Sequence, residues 1–158
     1  MSDPRLRFGN QDDVDEILDI HHASILALGR SAYTEQECDS WASSLSPSAY
    51  HDAMTSGGET FLVTELDRKL VGFCSFKVDE IVGLYVAPAE NRKGLGSQLL
   101  CEAEALIARS GGDTLTVTAA MSALEFYQSH SYQIRSFLPW KTRGGLEIQV
   151  CQMEKNIV

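Results

Sequence analysis

The segment Asn91-Arg-Lys-Gly94-Leu-Gly96-Ser97 has the residue types and spacing of an anion site. A β-branched and aromatic run from Ile81 to Val86 leads toward it and stops at Pro88. An amphipathic helix opens directly out of the two glycines. That layout aims several backbone N–H groups at one spot, with the positive end of a helix dipole behind them, and such a spot binds phosphate. Glycine is needed because a side chain would keep an anion away from the backbone. Taken alone, the same glycines also fit a strand-to-helix turn that binds nothing. Two nucleotide motifs fail on spacing. The dinucleotide fingerprint needs a third glycine where Leu99 stands, and the NTPase loop needs a Gly-Lys-Ser/Thr that is missing here.

The segment resembles R/Q-x-x-G-x-G/A, the signature of the GNAT superfamily of N-acetyltransferases. The resemblance implies that Lys93, Gly94, Leu95, Gly96 and Ser97 hold the pyrophosphate of coenzyme A. Asn91 stands where the signature has Arg or Gln, which removes one cation, with Arg92 and Lys93 beside it. The resemblance further implies that the backbone of Leu84, Tyr85 and Val86 binds the pantetheine arm and the thioester. In the family this strand carries a bulge whose N–H faces the thioester carbonyl, and Gly83 fits such a bulge.

Acyl transfer from a thioester to an amine makes three demands. The amine must lose a proton, because an alkyl ammonium with a pKa of about 10 is mostly protonated at neutral pH. The tetrahedral oxyanion needs a hydrogen-bond donor, and the departing thiolate benefits from an acid. For the acid, Ala123-Leu-Glu-Phe126-Tyr127 resembles the family's second signature, N-x-x-A-x-x-F-Y-x-x-x-G-F. Tyr127 falls on the tyrosine that many members use; by spacing alone it fits a core tyrosine equally well. Ala120, Ser131 and Tyr132 stand where Asn, Gly and Phe are usual. Ser122-x-x-Glu125 is available to cap the helix in place of the Asn. For the base, Glu80 opens the strand leading to the loop, eleven residues before Asn91. The histone-acetyltransferase branch places its glutamate at that distance. A solvated strand-end carboxylate beside Asp79 is the other use of Glu80.

His21, His22, Tyr33 and Trp41 stand as candidates for the acceptor site. In this fold the loop between the first two helices borders that site. Tyr33-Thr-Glu-Gln-Glu-Cys-Asp-Ser-Trp41 is similar to a stretch of a bacterial GNAT subgroup. A histidine on an apolar helix face also serves as a hydrogen-bonded core residue, and Trp41 also fits the core. His51 and His130 read as surface residues.

These residues need a scaffold, and the hydrophobic periodicity supplies one. Leu6 and Phe8 mark a short first strand. Val14, Ile17, Leu18, His21 and Ile25 form one helical face behind Asn10. Thr34-x-x-Glu37 is a capping box for a second helix, with Cys38, Trp41, Ala42 and Leu45 inward until Pro47 interrupts. A short helical piece spans 50–54, and Gly57-Gly58 ends it. Strands follow over 60–66 and 70–78 as a hairpin, then 80–86. The helix after the loop runs to Gly111-Gly112. A strand over 114–119, a helix over 121–130 and strands over 132–138 and 146–153 complete the order. Hairpins and helical crossovers occur together, so the sheet should be mixed. The expected class is α+β: a mixed, mostly antiparallel twisted sheet of about seven strands with about four helices, in one GNAT domain over 1–158. In the family, the strands on either side of the phosphate helix splay apart to admit pantetheine.

Bulk properties narrow the function. The chain of 158 residues is 44% hydrophobic and 22% charged, which suits a globular domain with one core. No apolar run is long enough to cross a membrane, and the N-terminus lacks the apolar centre of a signal peptide, so a cytoplasmic setting is expected. The net charge of −9 disfavours nucleic acid as a partner. Cys38, Cys74, Cys101 and Cys151 read as reduced thiols, most of them buried, with Cys74, Cys101 and Cys151 inside apolar patterns. No metal-ligand spacing is present.

The resemblance implies acetyl-CoA as acyl donor and a small-molecule or peptide amine as acceptor, with direct attack in a ternary complex. Two rivals make different demands. A non-catalytic acyl-CoA-binding module needs neither Tyr127 nor Glu80. A mononucleotide-binding α/β protein requires a wholly parallel sheet. Edge strands near the C-terminus make a homodimer an expectation as well.

Overall fold

The computed structural model describes residues 3–158. Its strands are β1 (Arg5–Phe8), β2 (Thr60–Leu66), β3 (Lys69–Phe76), β4 (Glu80–Val86), β5 (Thr114–Ala120), β6 (Gln133–Lys141) and β7 (Glu147–Asn156). Its α-helices are α1 (Val14–Leu28), α2 (Glu35–Ala42), α3 (Pro47–Met54), α4 (Leu95–Arg109) and α5 (Leu124–Ser129). The seven strands form one sheet in the order β1-β2-β3-β4-β5-β7-β6. Every neighbouring pair is antiparallel except β4 with β5. The single parallel pair removes the wholly parallel mononucleotide alternative.

Side chains alternate across a strand, and the sheet uses both faces. Leu62, Cys74 and Ile81 pack with Leu99, Leu100 and Ala103 of α4 and with Tyr127 of α5. Phe61, Val63 and Phe73 pack with Val14, Ile17 and Ile20 of α1 and Tyr50 of α3. A third group joins Ile25, Cys38 and Trp41 to Ile148 and Val150 of β7. The sheet is thus covered on both faces. Accordingly β3 is buried continuously from Leu70 to Phe76, as a doubly covered strand must be.

Local chemistry sets the helix ends. Thr34 and Glu37 form the expected capping box: the Glu37 N–H donates to Thr34 Oγ1 at 3.1 Å, and the Thr34 N–H donates to Glu37 Oε1 at 2.9 Å. Asn10 caps a single 3-10 turn ahead of α1, with Asp13 returning the bond to the Asn10 N–H. Three local expectations are corrected. Pro47 does not merely interrupt: it occupies the first turn of α3, where a missing N–H costs nothing. That lengthens the piece expected at 50–54 into a fifth helix. Ser122 and Glu125 do not cap α5, whose N-cap is Ala123 and which has no side-chain cap. Cys101 lies on the exposed side of α4, whereas Cys38, Cys74 and Cys151 are buried; all four are free thiols.

Candidate active site

β4 and β5 pair at only two positions, Glu80 with Thr116 and Ile81 with Val117. Beyond Ile81 the two strands part. The cause lies partly in β4 itself. Against β3, Ser75 pairs with Gly83 but Phe76 pairs with Ile81, so one extra residue bulges at Val82. A bulge bends and twists its strand, here at the point where the partner is lost. A Cβ at Gly83 would meet the Tyr85 ring at 3.2 Å, so the bulge is tightly filled.

Two cavities open on the resulting gap. The first, of about 390 Å³, is bounded by β4 from Val82 to Val86, by β5 from Val117 to Ala120, by Asn91, Arg92 and Gly94–Ser97, and by Phe126 and Tyr127. The second, of about 520 Å³, is bounded by His21, Trp41, Tyr50, Glu59, Phe61, Phe73, Glu80, Trp140 and Arg143 among others. Both reach Trp41, Val82, Gly83, Tyr85, Thr118 and Ala120. They therefore adjoin at the opening between β4 and β5.

The floor of the first cavity is the start of α4. Gly94 is its N-cap at φ +82°, and no side chain caps it among the described residues. A left-handed backbone costs other residues about 1–2 kcal/mol but costs glycine almost nothing. The Gln98 N–H bonds back to the Gly94 carbonyl at 3.1 Å. The N–H groups ahead of it, at Leu95, Gly96 and Ser97, have no carbonyl within the helix to meet. Free N–H groups with the helix dipole behind them suit an anion. Gly96 opposes the Phe126 ring, where a Cβ would lie at 3.4 Å. Lys93 is outside the cavity lining, and its ammonium is held by Glu90 at 2.8 Å. Arg92 is the cation that lines the cavity.

Tyr127 is buried at 4% exposure and lies edge-on to Phe126 and Tyr132. Burial, reinforced by Cys74 and Tyr85, raises its hydroxyl well above the ordinary phenol value. The phenol keeps its proton at any working pH. Leu84, Tyr85 and Val86 line the same cavity; the Val86 carbonyl already accepts a 2.6 Å hydrogen bond from Ser24 Oγ on α1.

The second cavity gathers His21, Trp41 and Glu80 from distant parts of the chain. His21 Nδ1 and the Tyr50 hydroxyl share a 2.7 Å hydrogen bond, while the buried Nε2 has no hydrogen-bond partner among the described residues. Burial, with Arg143 and His22, lowers the imidazole pKa to about 3. Neutral His21 is therefore a hydrogen-bonding group and not a proton store. His22 is exposed and borders neither cavity. Tyr33 also lies outside both. Its hydroxyl donates to the Gln149 carbonyl at 2.5 Å and accepts from the Met121 N–H at 2.8 Å. That ties the end of α1 to β7 and to the turn before α5.

Four residues at these cavities escaped the sequence reading: Ser24, Tyr50, Glu59 and Arg143. Glu59 faces the same cavity as Glu80. Burial raises its carboxyl above the usual glutamate range, with Lys77 opposing and Glu80 adding to the shift. No local motif marks any of the four, since each arrives on a different element.

The comparisons with known proteins agree with this architecture. Residues 30–146 match the family model described as acetyltransferase (GNAT) domain. The chain belongs to the GNAT family. This GNAT domain is similar to a GCN5-related N-acetyltransferase from Rhodopseudomonas palustris, also described as a class-II aminotransferase. That likeness has a TM-score of 0.90 and 31% identity, and it covers 99% of this chain and 97% of the other. At lower identity the fold alone is shared. The PaiA N-acetyltransferase of Thermoplasma acidophilum, crystallised with coenzyme A, aligns with a TM-score of 0.75 at 20% identity, over 98% of this chain and 99% of its own. YncA of Salmonella typhimurium, a putative acetyltransferase crystallised with acetyl-CoA, aligns with a TM-score of 0.73 at 21% identity, over 99% and 95%. No curated protein matches the chain. Among the described residues of this GNAT domain, no helix is long and apolar enough to cross a membrane.

Proposed function

We propose that this GNAT domain is an acetyl-CoA-dependent N-acetyltransferase that serves a primary amine by direct attack in a ternary complex. The observation that carries the reading is the adjacency of two cavities at the β4–β5 gap, one ending on an anion site and the other lined by carboxylates. The fit of the first cavity to a coenzyme A pyrophosphate rests on the uncapped start of α4 at a left-handed Gly94. Complexes of two relatives with coenzyme A or acetyl-CoA support the same choice. When bound, acetyl-CoA supplies an activated acyl thioester.

The chain's own residues divide the remaining work. The N–H groups of Leu95, Gly96 and Ser97, with Arg92 and Asn91, hold the pyrophosphate. Lys93 adds less, because Glu90 engages it. The backbone of Leu84, Tyr85 and Val86 lies along the gap, unpaired on its β5 side, and offers hydrogen bonds to the pantetheine arm and the acyl oxygen. Tyr127 donates its phenolic proton at the sulfur. Glu80, with Glu59 beside it, receives the proton that the amine must lose. Trp41 and His21 shape the acceptor side.

Two further parts of the reading concern setting. Strand β6 is one of the two sheet edges, and it exposes Ile134 and Phe137; a second copy of the chain pairing there accounts for both. The four free cysteines fit a reducing, cytoplasmic compartment.

A thermal-shift comparison of acetyl-CoA, coenzyme A, ATP and NAD tests the donor, since a ligand that binds only the folded state raises the melting temperature. Stabilisation by the coenzyme A species alone supports the reading. Stabilisation by ATP or NAD alone, or by none of the four, overturns it.

A further inference from the structure

Arg143 sits at the tip of the β6–β7 hairpin, and this tip is latched to the end of α2. Ser40 Oγ and Thr142 Oγ1 share a 2.6 Å hydrogen bond, and the Gly144 N–H donates to the Ser40 carbonyl at 3.0 Å. Arg143 Nη1 donates to the Trp41 carbonyl at 2.6 Å. The contact is close: a Cβ at Gly144 would come within 2.4 Å of Ser40 Oγ and 2.9 Å of the Ser40 backbone. The latch thus holds one edge of the guanidinium, and Arg143, exposed to solvent, also lines the second cavity.

The charge there is uncompensated. The chain has 22 acidic and 13 basic residues, so an arginine has many carboxylates to choose from. Arg143 nevertheless forms no ion pair among the described residues. Its positive field reaches His21, Tyr50 and Tyr85, lowering the proton affinity of each. It does not figure among the groups acting on Glu59, which feels Lys77 and Glu80. The cavity lining is bipolar, with Glu59 and Glu80 at the starts of β2 and β4 and Arg143 at the hairpin tip. Between them lie aromatic walls from Tyr50, Phe61, Phe73 and Trp140. Its volume of about 520 Å³ is that of a small-molecule site.

Resting on the proposed N-acetyl transfer, we infer that the acceptor is a small amine that also carries a carboxylate, in the manner of an amino acid, and that the Arg143 guanidinium binds that carboxylate. A planar guanidinium pairs with a carboxylate through two parallel hydrogen bonds. Held by the latch, it sets the amine at a fixed distance from the β4–β5 gap. The aromatic walls take an apolar side chain.

The test is steady-state acetylation of pairs matched except for the carboxylate, leucine against isoamylamine and phenylalanine against phenethylamine, with kcat/KM referred to the free amine because the carboxylate also lowers the amine pKa. The wild type should prefer each amino acid in kcat/KM by at least about tenfold, the size of one charge-assisted hydrogen bond. Arg143→Gln should bring the two members of each pair to parity, chiefly through the KM of the amino acid. Arg143→Lys keeps the charge and should retain part of the preference. Parity in the wild type, or a preference that survives in Arg143→Gln, overturns the inference and leaves N-acetyl transfer standing. If acetyl-CoA raises the melting temperature but no member of either pair is acetylated, transfer to small amines itself fails, and the inference falls with it.

Discussion

His21 Nδ1 and the Tyr50 hydroxyl share a 2.7 Å hydrogen bond that joins α1 to α3 beside the second cavity. The imidazole is also packed against the Tyr85 ring, centroid to centroid 4.2 Å. A histidine enclosed in this way must stay neutral, and its pKa falls to about 3. The sign of the consequence is fixed. Below about pH 6.5 an unfolded chain protonates this histidine and the folded chain does not. Stability is then lost as pH falls from about 6.5 toward 3. His21→Phe removes the titration. The melting temperature of the variant relative to wild type should therefore rise steadily as pH drops from about 7 to about 4. A difference that stays flat over that range would show that His21 charges freely in the folded protein.

Tyr127 separates enzyme from sensor. As an acid it must hold its proton, and its burial guarantees that. Tyr127→Phe keeps the ring that packs against Phe126 and Tyr132. Its turnover should fall by roughly a hundredfold or more, with acetyl-CoA affinity retained. Unchanged turnover would remove Tyr127 from the chemistry. A wild type that binds acetyl-CoA and never turns over would favour the non-catalytic binding module.

Gly94 and Gly96 should respond differently to the same substitution. Gly94 adopts φ +82°, so Gly94→Ala strains the backbone by about 1–2 kcal/mol. The melting temperature should drop, and coenzyme A should bind more weakly as the N–H groups turn away. Gly96 lies inside the helix, where a Cβ meets Phe126 at an ordinary 3.4 Å. Gly96→Ala should leave stability and coenzyme A affinity near wild type. Calorimetry and titration of both variants check the contrast.

The base assignment is tested through Glu59 and Glu80 together. If Glu80 takes the amine proton, Glu80→Gln should cut kcat by about a hundredfold. It should also let Glu59 ionise at lower pH, because the Glu80 charge is part of what raises the Glu59 carboxyl. Glu59→Gln should cost less than Glu80→Gln. Activity of Glu80→Gln within about twofold of wild type would assign deprotonation to water or to Glu59.

Much of this molecule was legible along the chain because its signals are local. Strand alternation, the helical faces of α1 and α4, the Thr34 capping box and the glycine loop each depend on residues a few positions apart. The element order follows from those signals, and the uncapped start of α4 follows from the backbone conformation of one glycine. The same local rules misjudged Pro47 and Ser122. A proline can open a helix as readily as stop one, and a capping serine competes with the path of the chain arriving from β5.

The second cavity was decided only in three dimensions. Glu59, His21, Tyr50 and Arg143 come from four separate elements, and their proximity depends on how α1, α3 and the β6–β7 hairpin dock on the bulged β4. Cysteine burial divided the same way: the apolar pattern around Cys101 matches those around Cys74 and Cys151, but only packing decides which side of α4 faces solvent. Periodicity tells which residues leave water. It carries no record of which of them will meet, because bringing β4 and the β6–β7 hairpin to one cavity costs chain entropy that only the assembled core repays.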